Sequence, residues 1–376
     1  MANLRVPRQE HPSVRSRIYR KLYVAPEPCS RQTLAEYCGV SMPTLYQNLK
    51  ELIEDGLVCE AGAEESTGGR KARKLDIAAD ARFSVGVSVN ENTLRLVAAN
   101  LRLKELAYRM IPFDVRACLD QSARKIDAHL EDFLNDFSLD RTRLLGVSVS
   151  VPGLVNEDHS TLFFAPTLGL RDVPVSALLG NIPYPVFVDN DGSASGHAEY
   201  FVRRASWNMA YLSLEEGVGG AVLIGGSPYA GDHSRSGEFG HICVEPGGLR
   251  CSCGKLGCLE PYCSTKRIEN TLGVAADAFF QGVEEHRPEY EALLYDMLRH
   301  LAVAVNSIRM TLDCDVIIGG FVSEYLSPYL PVLRRYVLAG NPFEENADFV
   351  QFSMLRRHIT PLGAALYYIR EFVESI

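Results

Sequence analysis

Apolar residues recur at helical spacing in the first part of the chain. The first run consists of Val14, Ile18 and Leu22, which fall on one side of a helix. Residues 30–55 hold two further runs of this kind, and Gly39 separates them. The pattern therefore predicts three short helices, with a tight glycine turn between the second and the third.

The second and third of these helices begin at polar caps. Ser30 precedes a helix in which Leu34 and Tyr37 are expected to share a face, and Ser41 precedes the next helix, where Pro43 is tolerated in the first turn. The inward positions of the third helix are Leu45, Leu49 and Leu52. Two short helices around a glycine turn, the second with its own cap, are typical of a helix–turn–helix.

The outward face of the third helix and the loop after it form the candidate DNA-binding surface. Strand-like segments at 57–59 and 74–77 bracket a loop that carries Gly68, Gly69 and three basic residues, as in the wing of a winged helix. The candidate DNA contacts are Ser41, Pro43, Thr44, Gln47, Lys50, Arg70, Lys71 and Arg73. The alternatives are a winged helix used for protein contacts and a helical hairpin with an extended tail.

Beyond residue 80 the pattern changes to short apolar runs that end in glycine-rich or polar loops. Such runs predict buried strands, and helical stretches at 120–137, 289–312 and 362–375 separate several of them. This alternation indicates an α/β architecture with a ligand crevice at the strand ends. We therefore predict two domains, a winged helix–turn–helix over residues 1–80 and an α/β body over residues 81–376.

Composition and charge narrow the class of protein. Of 376 residues, 47% are hydrophobic and 23% are charged, which is ordinary for a soluble globular protein. No run of about 18 apolar residues and no secretory signal are seen, and ten cysteines without a signal favour a reducing cytoplasm. Residues 1–75 hold 12 basic and 9 acidic side chains, whereas the whole chain has a net charge of −9. Only the mildly basic N-terminal segment, residues 1–75, is therefore expected to bind a polyanion.

One cluster carries the chemistry of a metal site. His241, Cys251, Cys253 and Cys258 lie within 18 residues, and glycines at 254 and 257 allow the loop to turn tightly. Three thiolates and one imidazole form a closed tetrahedral set, which is the pattern of structural zinc rather than of a catalytic metal with an open position. The alternatives are free buried cysteines and a redox pair.

Several motifs together resemble one family. They are Val151–Val155 (VPGLV), Asp189–Glu199 (DNDGSASGHAE), Glu216–Gly226 (EGVGGAVLIGG), Gly237–His241 (GEFGH) and the cysteine cluster that ends at Glu260. In this order they resemble the ROK family, which groups repressors, open reading frames and sugar kinases. The resemblance covers roughly residues 83–376, and the histidine and cysteine cluster is its most specific part. With the winged helix in front, the chain is similar to ROK repressors of the xylose-repressor type.

The resemblance implies a fold and a sugar pocket. The body is expected to be a two-lobed, actin-like and sugar-kinase-like (ribonuclease H-like) structure, with the zinc loop at 241–258. The residues that match the family's sugar contacts are Asn190, Asp191, Glu238, His241 and Glu260. In the family's kinases the residue that matches Asp191 is the base for the attacking hydroxyl. A surface carboxylate or a helix cap is the alternative for any one of them.

The phosphate loops distinguish a repressor from a kinase. ROK kinases have an Asp-x-Gly-Gly-Thr turn after the first strand, where this chain has Ser88-Val-Asn90-Glu91-Asn92. Glu215 and Glu216 precede the second glycine loop, where the kinases usually have Gly-Thr. Acidic side chains repel a polyphosphate, and non-glycine residues block close approach of the backbone.

We therefore expect a sugar-responsive repressor without catalytic activity, for which Asp191 is a vestigial base. Its partners are expected to be double-stranded operator DNA, a sugar or sugar derivative, and a second copy of the chain in a homodimer or higher oligomer. An ATP-dependent sugar kinase with an added DNA-binding domain is the alternative, and a body that binds another protein instead of a sugar is a third.

Overall fold

A computed structural model describes residues 12–63, 73–119, 124–156, 158–205, 207–233, 235–355 and 358–376. The first of these ranges and the start of the second form a head with three helices and an antiparallel ribbon. Its elements are α1 (Val14–Val24), α2 (Arg31–Cys38), α3 (Met42–Glu54), β1 (Val58–Ala63) and β2 (Arg73–Ile77). Cys29 bridges to Leu75 beside the ribbon. The predicted helix–turn–helix is confirmed.

Both predicted serine caps are present. The Ser30 hydroxyl accepts a hydrogen bond from the backbone N–H of Thr33 at 3.1 Å, and the Ser41 hydroxyl accepts one from the N–H of Thr44 at 3.4 Å. Each cap therefore satisfies a backbone donor that the first turn of the helix leaves unpaired. Gly39 lies between the two helices at φ 60°, a left-handed conformation that favours glycine.

Tyr37 does not share the buried face of Leu34. Its side chain is 59% exposed, and Lys21 Nζ lies 4.8 Å from its ring centroid. The buried residues of α2 are Leu34, Ala35 and Cys38. The helix has only eight residues, and packing at Leu34 and Cys38 turns position 37 toward solvent.

The first lobe of the body is built on a five-stranded mixed sheet. Its elements are β3 (Phe83–Val89), β4 (Thr93–Asn100), β5 (Glu105–Pro112), α4 (Ile126–Asp136), β6 (Leu144–Val151), β7 (Leu154–Val155), β8 (Thr161–Ala165), β9 (Leu170–Pro174), α5 (Ser176–Leu179) and β10 (Val186–Asn190). The strand order is β10-β6-β3-β4-β5, and β7-β8-β9 form a smaller sheet. Strands β3, β6 and β10 are parallel, so their carboxyl ends meet at one edge.

The second lobe repeats this plan. Its elements are α6 (Asp191–Arg203), β11 (Met209–Leu214), β12 (Val218–Ile224), β13 (Ser227–Pro228), α7 (Glu260–Cys263), α8 (Thr265–Leu272), α9 (Ala276–Glu284), α10 (Pro288–Leu312), β14 (Asp315–Gly319), α11 (Phe321–Leu326), α12 (Leu330–Ala339) and β15 (Val350–Phe352). The last helix, α13 (Ile359–Ser375), packs against β3, β4 and β6 of the first lobe and against α6 of the second. The strand order is β13-β12-β11-β14-β15. Two α/β lobes confirm the expected fold class.

The predicted helices of the body are found with small shifts at their ends. The stretch 289–312 is α10, and 362–375 lies within α13, which begins three residues earlier. The stretch 120–137 contains α4 from residue 126, whereas residues 120–123 lie outside the described residues. Among the helices described, none combines the length and the apolar character needed to cross a membrane.

The head and the body share one hydrophobic cluster. Leu22 of α1 belongs to it together with Leu101 after β4 and Ile369 of α13, and all three are fully buried. The Tyr19 ring packs edge-on against Phe372 of α13, with centroids 6.5 Å apart. Packing of this kind fixes the head against the two elements of the body that it touches.

Arg102 reinforces the junction of head and body from the β4–β5 turn. Its guanidinium donates hydrogen bonds to the backbone carbonyls of Tyr23 and Leu22, the second at 3.0 Å, and it pairs with the Asp76 carboxylate in β2. One body side chain thus contacts both α1 and the ribbon of the head. These are charge-assisted bonds, which are stronger than neutral ones.

Candidate functional site

A cavity of 520 Å³ opens between the two lobes, at the carboxyl ends of the parallel strands. The five residues predicted to contact a sugar all line it: Asn190, Asp191, Glu238, His241 and Glu260. They come from three separate places in the chain, the β10–α6 junction, the turn before His241 and the start of α7. The fold thus brings together the residues that the family resemblance selected.

Asn190 caps α6 and braces the cavity wall. Its side-chain oxygen accepts a hydrogen bond from the Ser193 N–H at 3.1 Å, and its amide nitrogen donates to the Gly153 carbonyl at 2.9 Å. Both ends of the amide are therefore used within the protein. Asn190 still has one lone pair and one N–H for a ligand, because an amide offers two of each.

Asp191 occupies the first turn of α6 in an acidic environment. Burial raises its pKa to about 7, and the nearby charges of Glu215 and Glu238 contribute to that rise. One carboxylate oxygen accepts a hydrogen bond from the Gly192 N–H at 2.8 Å, which acts in the opposite direction. The pKa of Glu238 is also raised, mainly by burial. A ligand hydroxyl that donates to Asp191 favours the ionised carboxylate.

His241, Cys251, Cys253 and Cys258 form a compact cluster that could bind a metal ion. Their ligand atoms all lie within 4.8 Å of one another. His241 Nδ1 is 3.6 Å from Cys251 Sγ, and the sulfur atoms of Cys253 and Cys258 are 3.8 Å apart. The loop turns at Gly254 and Gly257, which have φ values of 88° and 83°. At Gly257 a Cβ atom would approach the Glu245 carbonyl to 1.9 Å.

Two carboxylates connect this cluster to the cavity. Glu238 Oε2 lies 3.8 Å from His241 Nε2, on the ring nitrogen that faces away from the cysteines. Glu260 Oε1 accepts a hydrogen bond from Ser252 Oγ at 2.6 Å, inside the cysteine loop. Glu260 Oε2 accepts one from the Val218 N–H at 3.3 Å, at the glycine-rich turn before β12. The loop therefore helps to hold both carboxylates at the cavity wall.

The residues predicted to correspond to the kinase phosphate loops line the same cavity. These are Ser88, Asn90, Glu91, Glu215 and Glu216. The carboxylate of Glu215 accepts a hydrogen bond from the Phe321 N–H at 3.1 Å, where α11 begins. Burial raises the pKa of Glu215, and the nearby Arg95 guanidinium opposes that shift. The Glu215 carboxylate therefore accepts the hydrogen bond of a backbone N–H that lies just after β14.

Three arginines at the cavity were not found from the sequence: Arg95, Arg171 and Arg235. Arg95 could have been found, because a β3–β4 hairpin with a short turn pairs it directly with Ser88. Arg171 and Arg235 lie in β9 and in the loop before Glu238, and they carry no local signal of this kind. The guanidinium of Arg171 lies 4.7 Å from the Phe164 ring centroid.

The predicted DNA contacts on the head lie mostly on an exposed face. Ser41, Pro43, Gln47 and Lys50 are exposed, and Thr44 is half-buried beside the Ser41 cap. Lys50 pairs with Glu54 at 3.7 Å on the same face of α3. Leu45, Leu49 and Leu52 are buried on the opposite face, as predicted.

The wing contacts are only partly described. Arg73 begins β2, and its guanidinium pairs with Glu60 of β1 across the base of the ribbon. Arg31 of α2 is 3.6 Å from the same carboxylate. Arg70 and Lys71 lie outside the described residues.

Comparison with known proteins agrees with this geometry. A model of the ROK family matches residues 113–367, which is more than half of the chain, and a helix–turn–helix domain model matches residues 10–59. The chain belongs to the ROK family. It is 28% identical over 331 residues to the xylose repressor of Bacillus subtilis, with 85% of this chain and 81% of that one covered.

Solved ROK structures share the fold. A ROK family transcriptional regulator described as a homolog of the E. coli MLC protein superposes with a TM-score of 0.73 at 20% identity, over 96% of each chain. A ROK family glucokinase from Streptomyces griseus, in complex with glucose and AMPPNP, has a TM-score of 0.63 at 22% identity. The similarity covers 75% of this chain and 98% of the glucokinase chain. Regulators and kinases of the ROK family thus have the same body.

Proposed function

We propose that this ROK protein is a sugar-responsive transcriptional repressor of carbohydrate-utilisation genes, which binds operator DNA through the head and a sugar or sugar derivative in the cavity between the lobes. One observation carries the proposal: two packed helices run from the cavity to the head. The family membership, the helix–turn–helix match and the similarity to a xylose repressor support it.

The two helices provide a physical connection between ligand and DNA. Helix α6 begins at Asp191 in the cavity, and Phe201 near its end packs against Tyr23 of α1, with ring centroids 5.7 Å apart. Helix α13 has Thr360 at the cavity, and near its end the backbone carbonyl of Glu374 accepts a hydrogen bond from α1 at 2.9 Å. A rigid helix carries a small rotation at its cavity end to its other end, here the end beside the head.

The sugar changes the equilibrium between lobe arrangements only through its different affinity for each of them. Ser195 of α6 and Thr360 of α13 are hydrogen-bonded through their hydroxyls at 3.0 Å, so a helix packed on each lobe contacts the other beside the cavity. Asp191 and Glu238 would accept hydrogen bonds from adjacent hydroxyls. Binding then alters the angle between the lobes and with it the position of the head.

We propose that His241, Cys251, Cys253 and Cys258 hold a structural zinc ion. In a tetrahedral site with Zn–S bonds of about 2.3 Å and Zn–N bonds of about 2.0–2.1 Å, ligand atoms lie about 3.6–3.8 Å apart. The S–S distance of 3.8 Å and the N–S distance of 3.6 Å fit such a site. Zinc would cross-link the loop and fix the His241 ring, whose other nitrogen faces Glu238.

We further propose that the protein does not transfer phosphate. The Glu215 carboxylate accepts a hydrogen bond from the Phe321 N–H. Glu91 and Glu216 add negative charge at the cavity wall where a nucleotide polyphosphate would lie. Each close like-charge contact opposes binding by about 1 kcal/mol or more. The alternative function, a sugar kinase with a DNA-binding head, draws support from the shared fold of the ROK glucokinase alone.

The proposed DNA contacts are those of α3 and the wing: Ser41, Pro43, Thr44, Gln47, Lys50, Arg70, Lys71 and Arg73. A single winged helix makes a small interface, so we propose that a homodimer or higher oligomer presents two heads to two half-sites. Binding to an operator also requires that the protein act in the cytoplasm, where the chromosome lies.

The test is a thermal-shift screen of the purified protein against a panel of aldoses, N-acetylated sugars and sugar phosphates. For each sugar that raises Tm, operator binding is then measured by gel shift with and without the sugar. We expect at least one sugar to raise Tm and to change operator affinity. If sugars bind but operator affinity is the same in every case, the coupling between cavity and head is disproved.

A further inference from the structure

A second cavity, separate from the sugar site, lies where the head meets the body. Its volume is 680 Å³, which is within the range of small-molecule sites. The head contributes residues of α1, and the body contributes the far ends of α6 and α13 with the β4–β5 turn. The site occupies the junction through which the head is attached.

Positive charge dominates the lining of this cavity. It contains four arginines, Arg20, Arg102, Arg204 and Arg370, and a single carboxylate, that of Glu374. The pKa of His197, the other titratable nitrogen base of the lining, is lowered to about 3 by burial and by the Arg370 charge, so its imidazole is neutral near pH 7. The wall therefore carries an excess of positive charge on a chain whose net charge is −9.

Within the described part of the chain, two of the four guanidiniums have no carboxylate partner. Arg102 pairs with Asp76, and Arg370 pairs with Glu374 at 3.5 Å. Across the ranges that the structure describes, Arg20 and Arg204 form no ion pair. Arg20 donates one hydrogen bond to a backbone carbonyl, and its Nε atom is buried without a partner there.

A buried hydroxyl adds a further unpaired donor. Tyr23 lines the cavity and is only 7% exposed, and its hydroxyl has no hydrogen-bond partner within the described part of the chain. Burial raises the pKa of Tyr23 above its ordinary value, so the hydroxyl remains a donor. Unpaired buried donors are costly, and a ligand oxyanion can accept hydrogen bonds from them. Phe201, Val202 and Val373 supply apolar wall beside these donors.

We propose that this junction cavity binds a small organic phosphate, whose dianionic head contacts Arg20 and Arg204 and whose carbon part lies against the apolar wall. A dianion matches the excess of positive charge better than a monocarboxylate does, and guanidinium groups suit phosphate oxygens. Arg20 belongs to the head and Arg204 to the body, so the ligand bridges them. A ligand that requires both stabilises the docked arrangement of the head.

The test uses the full-length protein and two probes, inorganic phosphate and phenyl phosphate, with binding measured by isothermal titration calorimetry. We expect phenyl phosphate to saturate one site per chain. Arg204→Gln, at an exposed position, should weaken it about tenfold or more, and Arg204→Lys should restore most of the affinity because the charge is kept. An unchanged Tm of Arg204→Gln shows that the fold is retained.

Two control variants separate this site from the sugar cavity. Arg235→Gln makes the same change at an exposed arginine of the first cavity, and Asp191→Asn alters the proposed sugar contact. Both should bind phenyl phosphate as the wild type does, whether or not the proposed sugar response is correct. Absence of saturable binding by the wild type overturns the inference. So does binding that Arg235→Gln weakens and Arg204→Gln does not, since the anion would then lie in the first cavity. Loss of DNA affinity in Arg204→Gln without anion binding would assign the arginine to the DNA backbone instead.

Discussion

Replacement of Asp191 by asparagine is expected to improve stability and to impair function in the same variant. The folded-state pKa of about 7 lies well above the ordinary value of 3.8 for an aspartate, which means that the fold penalises the ionised carboxylate. The unfolded chain loses this proton near pH 4 and the folded chain keeps it until about pH 7. The stability of the wild type therefore falls as pH rises through that window, by about 1.4 kcal/mol per pH unit.

The magnitude follows from the same shift. Above pH 7 the buried charge costs the wild type roughly 4 kcal/mol, and Asp191→Asn removes this cost. The variant should therefore be more stable than the wild type at pH 8, and this advantage should shrink toward pH 4. Urea unfolding of both proteins at several pH values measures it. A variant that is no more stable at pH 8 than at pH 4, relative to the wild type, would refute the reasoning.

The functional part of the prediction has the opposite sign. Asparagine keeps the shape of Asp191 but loses a charge-assisted hydrogen bond to a ligand hydroxyl, at a cost of roughly 1.5–3 kcal/mol. Affinity for the sugar should fall about 10-fold to 100-fold, while operator binding without sugar stays intact. Calorimetry with a sugar found in the screen, together with gel shifts, measures both. Wild-type sugar affinity in the variant would mean that Asp191 does not contact the ligand.

Three further predictions concern the metal loop, the head and the missing chemistry. Cys253→Ser should lower the bound zinc from about one ion per chain, and stability and sugar affinity should fall with it. Metal analysis measures the zinc and calorimetry measures the stability and the sugar affinity. Loss of zinc with unchanged sugar binding would contradict the coupling. Gln47→Ala should weaken operator binding by about 1–3 kcal/mol and random DNA much less, whereas Arg70→Ala should weaken both and reduce the salt slope by about one in salt-titrated gel shifts. The wild type should release no ADP in a coupled assay over the sugar panel, and steady turnover that disappears in Asp191→Asn would make the protein a kinase.

The sequence alone determined the features that depend on near neighbours in the chain. The caps at Ser30 and Ser41 act on backbone groups three residues away, so a short window contains both partners. The leucine face of α3 follows from helical spacing in the same way. The histidine and cysteine cluster could be predicted because its members lie within 18 residues, and the proposed sugar contacts were selected only through the motifs that resemble a family.

Tertiary structure decided everything that joins distant parts of the chain. Glu215 and Phe321 are 106 residues apart, and Arg20 and Glu374 are 354 apart, so no local pattern contains either pair. Which surfaces pack together decides the shared core of head and body and the exposure of Tyr37. It also decides which arginines at the junction lack a carboxylate partner among the described residues. Hydrophobic burial is non-directional and depends on the whole fold at once, whereas a helix cap or a helical period depends on residues a few positions apart.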